Sequence, residues 1–234
     1  MTPTAHELLR TTAARLAPDP DANPFVPRVA DGRAQVRTIA VLALEQRHVI
    51  PADQRSFQHL TRRSAEAKDL ESAAFFDTLA DGESLARERL APLLDACAVG
   101  ATEAATYEPQ AGCQAYPAYV AWLALNGEPV DVVLALTANF EAWGRCCATI
   151  ARALRDHYGF DDEACGFFDL FAEPAPDLDR QALTAVQAGL DRGRVTAAHL
   201  RHGRLLGHYE EMFWETLADG DEAVRSRRPH PAAP

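Results

Sequence analysis

A carboxylate near the C-terminus lies on a helix face that is otherwise apolar. Leu206 and Phe213 recur at helical spacing, and Glu210 projects about 40° from Leu206, inside that face. A carboxylate placed there is partly desolvated, which raises its pKa and suits it to general acid or base chemistry. A core glutamate that pairs with an arginine or a tyrosine hydroxyl fits the same pattern, so both interpretations stay open.

Two amides and a phenol have similar positions. Gln46 lies in the middle of the apolar face that contains Ala43, and Asn139 lies at the margin of a stripe that begins at Leu136. Each amide can bind the edge of a heterocycle or satisfy a backbone group. Tyr116, near the start of its helix, adds a ring that can stack on a ligand. These side chains are candidates for a small-molecule pocket.

Metal and nucleotide patterns are weak. His199 and His202 share an inner helix face, but Glu210 lies about 12 Å further along the helix axis and cannot share an ion with them. Glu45 and His48 form an E-x-x-H pair on the polar side of their helix, and the sequence has no second pair. GxGxxG, P-loop and GxSxG patterns are absent. We therefore expect neither a metal nor a cofactor.

Composition excludes several partners. The 234 residues include 23 Lys+Arg and 34 Asp+Glu, and the formal net charge of -11 argues against binding to nucleic acid or anionic membranes. Uninterrupted apolar runs such as residues 39–44 are far shorter than the roughly 18 residues of a membrane span. The N-terminus has no apolar signal segment, and the five cysteines form no CxxC pair. These features predict a cytoplasmic protein with reduced thiols and a small-molecule ligand.

The elements that must position these side chains are helices. Apolar residues recur at spacings of three and four from end to end, which predicts an all-α protein. We expect one domain over residues 1–218 and a disordered tail over 219–234. Pro51 and the Asp81-Gly82 pair are interpreted as helix breaks. The predicted helices are 4–16, 33–50, 51–66, 69–79, 83–98, 115–125, 129–154, 161–171, 177–190 and 194–218.

Three short motifs occur in order along the chain. They are Asn23-Pro-Phe-Val26, Gln114-Ala-Tyr116 followed by Tyr119, and Tyr209-Glu-Glu-Met-Phe-Trp214. They resemble the His-Pro-Phe-Val, Gln-Ala-Tyr-x-x-Tyr and aromatic-Glu-x-x-Phe-Trp segments of the TenA/thiaminase II and PqqC-like proteins. The last motif is the most specific, and residues 45–53 resemble the PqqC branch as much as the TenA branch. The resemblance covers most of the chain and implies a haem-oxygenase-like multi-helix bundle.

The resemblance also implies roles for single residues. Glu210 corresponds to the family's catalytic acid/base beside the pyrimidine amine, whereas Asn139 stands at the position of the nucleophilic cysteine. An amide cannot form the covalent adduct of thiaminase II, so that chemistry is not expected. The family's pyrimidine-binding acid falls at Gln46 or Arg47, and a tyrosine of the family appears as Phe171. The implied ligand-binding set is Gln46, Tyr116, Asn139, Phe171 and Tyr209, in a homodimer or homotetramer.

Three functions remain open at this point. The first is a metal-free enzyme in which Glu210 moves a proton to or from a nitrogenous heterocycle or a specialised-metabolite intermediate. The second is a non-catalytic ligand-binding or regulatory protein that keeps the pocket. The third is a cofactorless oxidase of the PqqC type in a biosynthetic pathway.

Overall fold

The computed structural model describes residues 3–18 and 23–226, and this part of the chain is helical with no strand. The all-α prediction is confirmed. None of the helices in this part is long and apolar enough to cross a membrane. The helices are α1 Ala5–Leu16, α2 Val26–Ala30, α3 Val36–Glu66, α4 Leu70–Ala96, α5 Ala101–Thr106, α6 Ala111–Asn126, α7 Pro129–Tyr158, α8 Asp162–Ala172, α9 Pro176–Asp191 and α10 Ala198–Ser226.

The first helix begins as its sequence predicts. The Thr4 hydroxyl accepts a hydrogen bond from the Glu7 backbone N–H at 3.2 Å, and the Glu7 carboxylate accepts one from the Thr4 backbone N–H at 2.9 Å. This capping box satisfies two backbone donors that a helix start otherwise leaves unpaired.

Two of the predicted helix breaks are wrong. Pro51 lies inside α3, and Gly82 lies inside α4, so each predicted pair of helices is one continuous helix. Proline removes one backbone hydrogen bond, and glycine costs about 1 kcal/mol relative to alanine. Burial outweighs both costs, because each helix has a continuous buried face on both sides of the break. In α3 this face includes Ile50 and Phe57, which are 2% and 4% exposed.

The core consists of adjoining clusters of buried side chains. One cluster includes Phe25, Phe167 and Trp214, and a second includes Phe57 and Phe75. Helices α3 and α4 pack along each other, while α10 packs against α6 and α7. The inner faces of α3, α4, α6, α7 and α10 therefore meet in the interior. The candidate site residues come from these helices, except Phe171, which lies on α8.

The C-terminal helix is longer than predicted. It runs to Ser226, whereas the sequence predicted a helix end at Ala218 and a disordered tail from residue 219. The extension is held because Asp221 is buried and accepts hydrogen bonds from the Gln35 backbone N–H at 2.7 Å and the Thr38 hydroxyl at 2.9 Å. The rest of the predicted tail, residues 227–234, lies outside the described residues. The division into one domain stays a prediction.

Candidate functional site

Glu210 lies on the inner face of α10, one turn after the buried Leu206, as its spacing predicted. The indole N–H of Trp214 donates to Glu210 Oε1 at 3.2 Å, and the Asn139 amide on α7 donates to Oε2. Burial raises the pKa of the Glu210 carboxyl, the two hydrogen bonds oppose that rise, and the neighbouring Glu211 adds to it. The side chain is therefore oriented by two donors and retains its proton to higher pH than an ordinary glutamate.

Glu210 lines a cavity of about 200 Å³ between α2, α7 and α10. This volume is smaller than the roughly 300 Å³ at which pockets for drug-sized ligands begin, so it suits a molecule of about one ring. The other lining residues are Pro18, Asn23, Val26, Pro27, Ala142, Arg145, Cys146, Thr149, Gly207, Glu211 and Trp214.

Tyr116 lies on α6 and does not line the cavity at Glu210, and neither do Asn139 and Gln46. The Tyr116 side chain is half-buried, and burial is the main cause of its raised pKa, to which the charge of Glu210 adds. Among the predicted site residues, the structure joins Glu210 and Asn139 by a hydrogen bond.

The position of Gln46 is now distinct from that of Arg47. Gln46 is 5% exposed on the inner side of α3, whereas Arg47 is exposed and donates to the backbone oxygen of Ala104. Between these two residues, Gln46 is the one that points into the bundle. It sits on the same helix face as Asp53, two turns away.

Tyr209 and Phe171 lie elsewhere. The Tyr209 ring packs against Tyr119 of α6 with a centroid distance of 5.2 Å, and the Phe171 ring packs against Trp143 at 5.7 Å. Neither residue lines the cavity at Glu210. Phe171 is linked to that cavity indirectly, because Trp143 also contacts Trp214 at 5.8 Å. A ligand contact for either residue stays a prediction.

Cys146 lines the cavity, as do Ala142, Arg145 and Thr149 of the same helix. It lies two helical turns after Asn139, which does not line the cavity. The amide of Asn23, from the first of the three motifs, lies 3.9 Å from the Cys146 sulfur. Burial and the nearby Glu210 raise the pKa of the Cys146 thiol to about 11, so little thiolate exists at neutral pH.

Eleven chains of solved structures match this chain, whereas no protein-family model matches it and no curated protein is significantly similar in sequence. A TenA homologue from P. horikoshii OT3 aligns with a TM-score of 0.69 and 16% identity, over 93% of this chain and 100% of that chain. A domain of unknown function with a heme oxygenase-like fold, from Shewanella denitrificans OS217, aligns with a TM-score of 0.66 and 14% identity, over 94% of this chain and 91% of that chain. The chain has the haem-oxygenase-like fold. The predicted multi-helix bundle is thereby confirmed, and at these identities the similarity concerns the fold.

Within this haem-oxygenase-like bundle, two acids on inner helix faces were not predicted from the sequence. Asp53 on α3 is 5% exposed, and Glu83 on α4 is half-buried. Burial raises the pKa of Asp53 to about 8, and burial together with the Asp53 charge raises the pKa of Glu83 well above its usual value. Asp53 lies two residues after the predicted helix break at Pro51, and Glu83 directly follows the predicted break at Gly82, so their helix faces were not assigned. Helical periodicity continued through Pro51 and Gly82 would have predicted that both side chains face the interior.

The prediction that Glu45 lies on the polar side of its helix is wrong, because its side chain is fully buried in this haem-oxygenase-like fold. Its carboxylate accepts hydrogen bonds from the Tyr107 hydroxyl at 2.6 Å, the Gln110 backbone N–H at 2.8 Å and the Gln114 amide at 2.7 Å. The carboxylate of this E-x-x-H pair therefore forms hydrogen bonds within the protein.

The histidine pair of α10 has protein partners. His199 Nδ1 hydrogen-bonds the backbone oxygen of Thr196, and His202 Nδ1 hydrogen-bonds the Tyr119 hydroxyl at 3.0 Å. Within residues 3–18 and 23–226, no group of three or more His, Cys, Asp or Glu side chains is placed to hold a metal ion.

Proposed function

We propose that this haem-oxygenase-like protein is an enzyme in which Glu210 transfers a proton to or from a small nitrogenous heterocycle or a specialised-metabolite intermediate. The proposal rests on one observation: a glutamate with a raised pKa lines a cavity of about 200 Å³ and is held by two hydrogen-bond donors. General acids and bases are tuned in this way, by burial that brings the pKa nearer to the working pH.

The proton transfer follows from the contacts of Glu210. In its protonated form the carboxyl donates its proton to a nitrogen of the bound ligand and becomes a carboxylate. Asn139 and Trp214 each donate to one of the two oxygens, so the negative charge formed in this step is stabilised without rearrangement. In the reverse direction the carboxylate accepts a proton from the ligand.

The reaction we propose uses neither a metal nor a thiolate. The described residues offer no ligand set for a metal ion. Cys146 is the cysteine in the cavity, and its pKa of about 11 keeps it as a neutral thiol. Proton transfer by Glu210 is the chemistry that these side chains support best.

The similarity to a TenA homologue guides the choice of ligands. The motif resemblance connects Glu210 with the binding of a pyrimidine amine, so thiamin and 4-amino-2-methylpyrimidines are the first probes. We further propose that the protein is cytoplasmic and forms a homodimer or homotetramer, as proteins with these motifs do.

The experiment compares the wild-type protein with Glu210→Gln and with Glu215→Gln, which removes an exposed carboxylate from the same helix. Turnover of the probes and of any molecule that co-purifies in native mass spectrometry is measured. We expect Glu210→Gln to lose about 10²- to 10⁴-fold in rate and Glu215→Gln to retain wild-type activity. Equal turnover in wild type and Glu210→Gln would overturn the proposal. Tight binding without turnover in the wild-type protein would identify a non-catalytic binding protein instead.

A further inference from the structure

Asp53 and Glu83 occupy equivalent positions on two helices that pack together. Asp53 lies between the buried Ile50 and Phe57 on the inner face of α3. Glu83 lies between the buried Ala80 and Ala86 on the inner face of α4. Both acids therefore project toward the interior of the bundle.

A hydrogen bond between Gln54 and Ser84 fixes the alignment of α3 and α4. The Gln54 amide donates to the Ser84 hydroxyl at 2.6 Å and to the backbone oxygen of Ala80 at 3.3 Å. Because Gln54 follows Asp53 and Ser84 follows Glu83, this contact holds the two acids at the same level of the bundle.

Asp53 lacks partners that a buried carboxyl normally has. Its side chain is 5% exposed, and Oδ1 has no hydrogen-bond partner. In the described part of the chain, no lysine, arginine or histidine forms an ion pair with Asp53 or Glu83. A buried polar atom without a partner destabilises the folded protein, and such atoms in native proteins call for an explanation, such as a functional site.

Glu83 and Tyr116 keep surface that a small molecule can reach. Both side chains are half-buried, and burial is the main cause of their raised pKa values. The charges of Asp53, Glu83 and Glu210 each add to the rise in the pKa of the Tyr116 phenol, so Tyr116 is within electrostatic reach of the acid pair and of the proposed acid/base.

The surroundings of Tyr116 are aromatic. Tyr116 and Phe140 pack against the cluster of buried side chains that includes Phe57 and Phe75, and the Phe75 and Phe140 rings stack at 6.5 Å. A ligand group held here would meet negative charge at one end and aromatic rings around it. The face of a phenol ring attracts cations, which adds to the attraction of the carboxylates.

We propose that Asp53, Glu83 and Tyr116 form a subsite that binds a primary ammonium or amidinium group carried by an aromatic body. This inference rests on the proposed function only in assigning that cation to the molecule on which Glu210 acts. The N–H groups of the cation donate to the oxygens of Asp53 and Glu83, including the unpartnered Oδ1, and the phenol ring of Tyr116 lies beside the charge.

Binding of a cation at this subsite is coupled to proton release. Near pH 7 the acid pair retains proton, because burial raises the pKa of both carboxyls and Glu83 also faces the Asp53 charge. Tyr116 is a titratable group within electrostatic reach of the pair, and the Glu210 charge acts on the same phenol. A bound ammonium group stabilises the ionised carboxylates, so a carboxyl proton leaves to the buffer as the cation enters.

Isothermal titration calorimetry of the full-length protein at pH 7 tests this inference. Benzylamine, phenethylamine and benzamidine are the cationic probes, and benzyl alcohol is the neutral probe of similar shape. Titrations in two buffers with different ionisation enthalpies measure the protons released. We expect the cations to bind with release of a proton and benzyl alcohol to bind at least about tenfold more weakly.

Variants locate the binding. Asp53→Asn and Glu83→Gln should each weaken binding of the cations by about tenfold or more and reduce the proton release. Asp77→Asn and Glu88→Gln, which remove exposed acids from α4, should bind as the wild type does. Unfolding curves show whether each of the two variants folds. If one of them does not fold, the other still tests the subsite.

The result that would overturn the subsite is distinct from failure of the proposed function. The subsite is wrong if no cationic probe binds with proton release, or if Asp53→Asn and Glu83→Gln bind the probes as tightly as the wild type. Glu210→Gln should retain proton-linked binding even though it loses turnover. Normal turnover in Glu210→Gln would contradict the proposed function alone.

Discussion

Glu45 and Asp53 lie on the same helix, α3, and both are buried, but their carboxyl groups have opposite surroundings. Glu45 accepts hydrogen bonds from a phenol, a backbone N–H and a side-chain amide, all at 2.8 Å or less. Asp53 has an oxygen with no donor at all. Burial is therefore common to both acids, and the supply of donors is what separates them.

This difference distinguishes a structural region from a functional one. The donors to Glu45 come from Tyr107, Gln110 and Gln114, so its carboxylate ties α3 to the start of α6 and has little capacity left for a ligand. The region around Asp53, Glu83 and Glu210 has more carboxyl oxygens than donors. A ligand with N–H groups supplies the hydrogen-bond donors that these carboxyl oxygens lack. Four predictions test this contrast.

Removal of the Glu45 carboxylate should have the largest effect on stability. Glu45→Ala leaves the Tyr107 hydroxyl, the Gln110 N–H and the Gln114 amide without their acceptor, at a cost of about 3–5 kcal/mol in the free energy of unfolding. Urea denaturation measures this, with the exposed Glu108→Ala as control. A loss below about 1 kcal/mol would mean that these hydrogen bonds do not anchor α3.

Asp53→Asn should have the opposite sign, and its effect should depend on pH. The pKa of Asp53 is about 8 in the folded protein and about 4 in the unfolded chain, so its stabilising contribution is complete below pH 4 and is lost as pH rises toward 8. Asparagine removes this loss. We expect the variant to gain about 1–3 kcal/mol over wild type at pH 9 and much less at pH 5.

Urea unfolding at the two pH values measures the difference between Asp53→Asn and wild type. Asp77→Asn, which removes an exposed carboxylate from α4, serves as the matched control and should show no such change between pH 5 and pH 9. Equal stability of Asp53→Asn and wild type at pH 9 would show that Asp53 has a hydrogen-bond donor in solution.

Asn139→Ala should shift the titration of Glu210. The Asn139 amide donates to the carboxylate and thereby lowers its pKa, so its removal raises the pKa of Glu210 further. In an active enzyme, the limb of the pH–rate profile that reports Glu210 should move to higher pH. A shift to lower pH would mean that Asn139 stabilises the protonated form.

Cys146→Ala should have the smallest effect. The Cys146 thiol has a pKa of about 11 and is neutral at pH 7, so we expect less than about a twofold change in turnover. Iodoacetamide should modify it slowly at pH 7 and faster as pH rises. Loss of activity in Cys146→Ala, with rapid alkylation at pH 7, would indicate a thiolate mechanism instead.

The sequence predicts the fold and one part of the site well. Apolar spacing predicts helices, the first predicted helix starts at residue 4, which is the N-cap of α1, and Glu210 and Asn139 are found on the faces where helical periodicity places them. These predictions depend on local spacing within one uninterrupted helix. Periodicity of this kind is reliable wherever a helix has one buried stripe.

The other part of the site depends on tertiary packing. Pro51 and Gly82 commonly end helices, and only burial on both sides of each residue keeps α3 and α4 continuous. The interior positions of Asp53 and Glu83 follow from that continuity. Glu45 was misplaced for a related reason. Residues 107–114 pack over the side of α3 that contains Glu45, and the apolar periodicity of one helix does not predict such a tertiary contact.

Glutamate-selective carbon-13 NMR measures the central claim most directly, because the side-chain carboxyl carbon reports ionisation residue by residue. The account predicts resonances that still titrate above the ordinary glutamate range, one of which disappears in Glu210→Gln and another in Glu83→Gln. A spectrum in which the Glu210 and Glu83 carboxyls ionise in the ordinary range would contradict it.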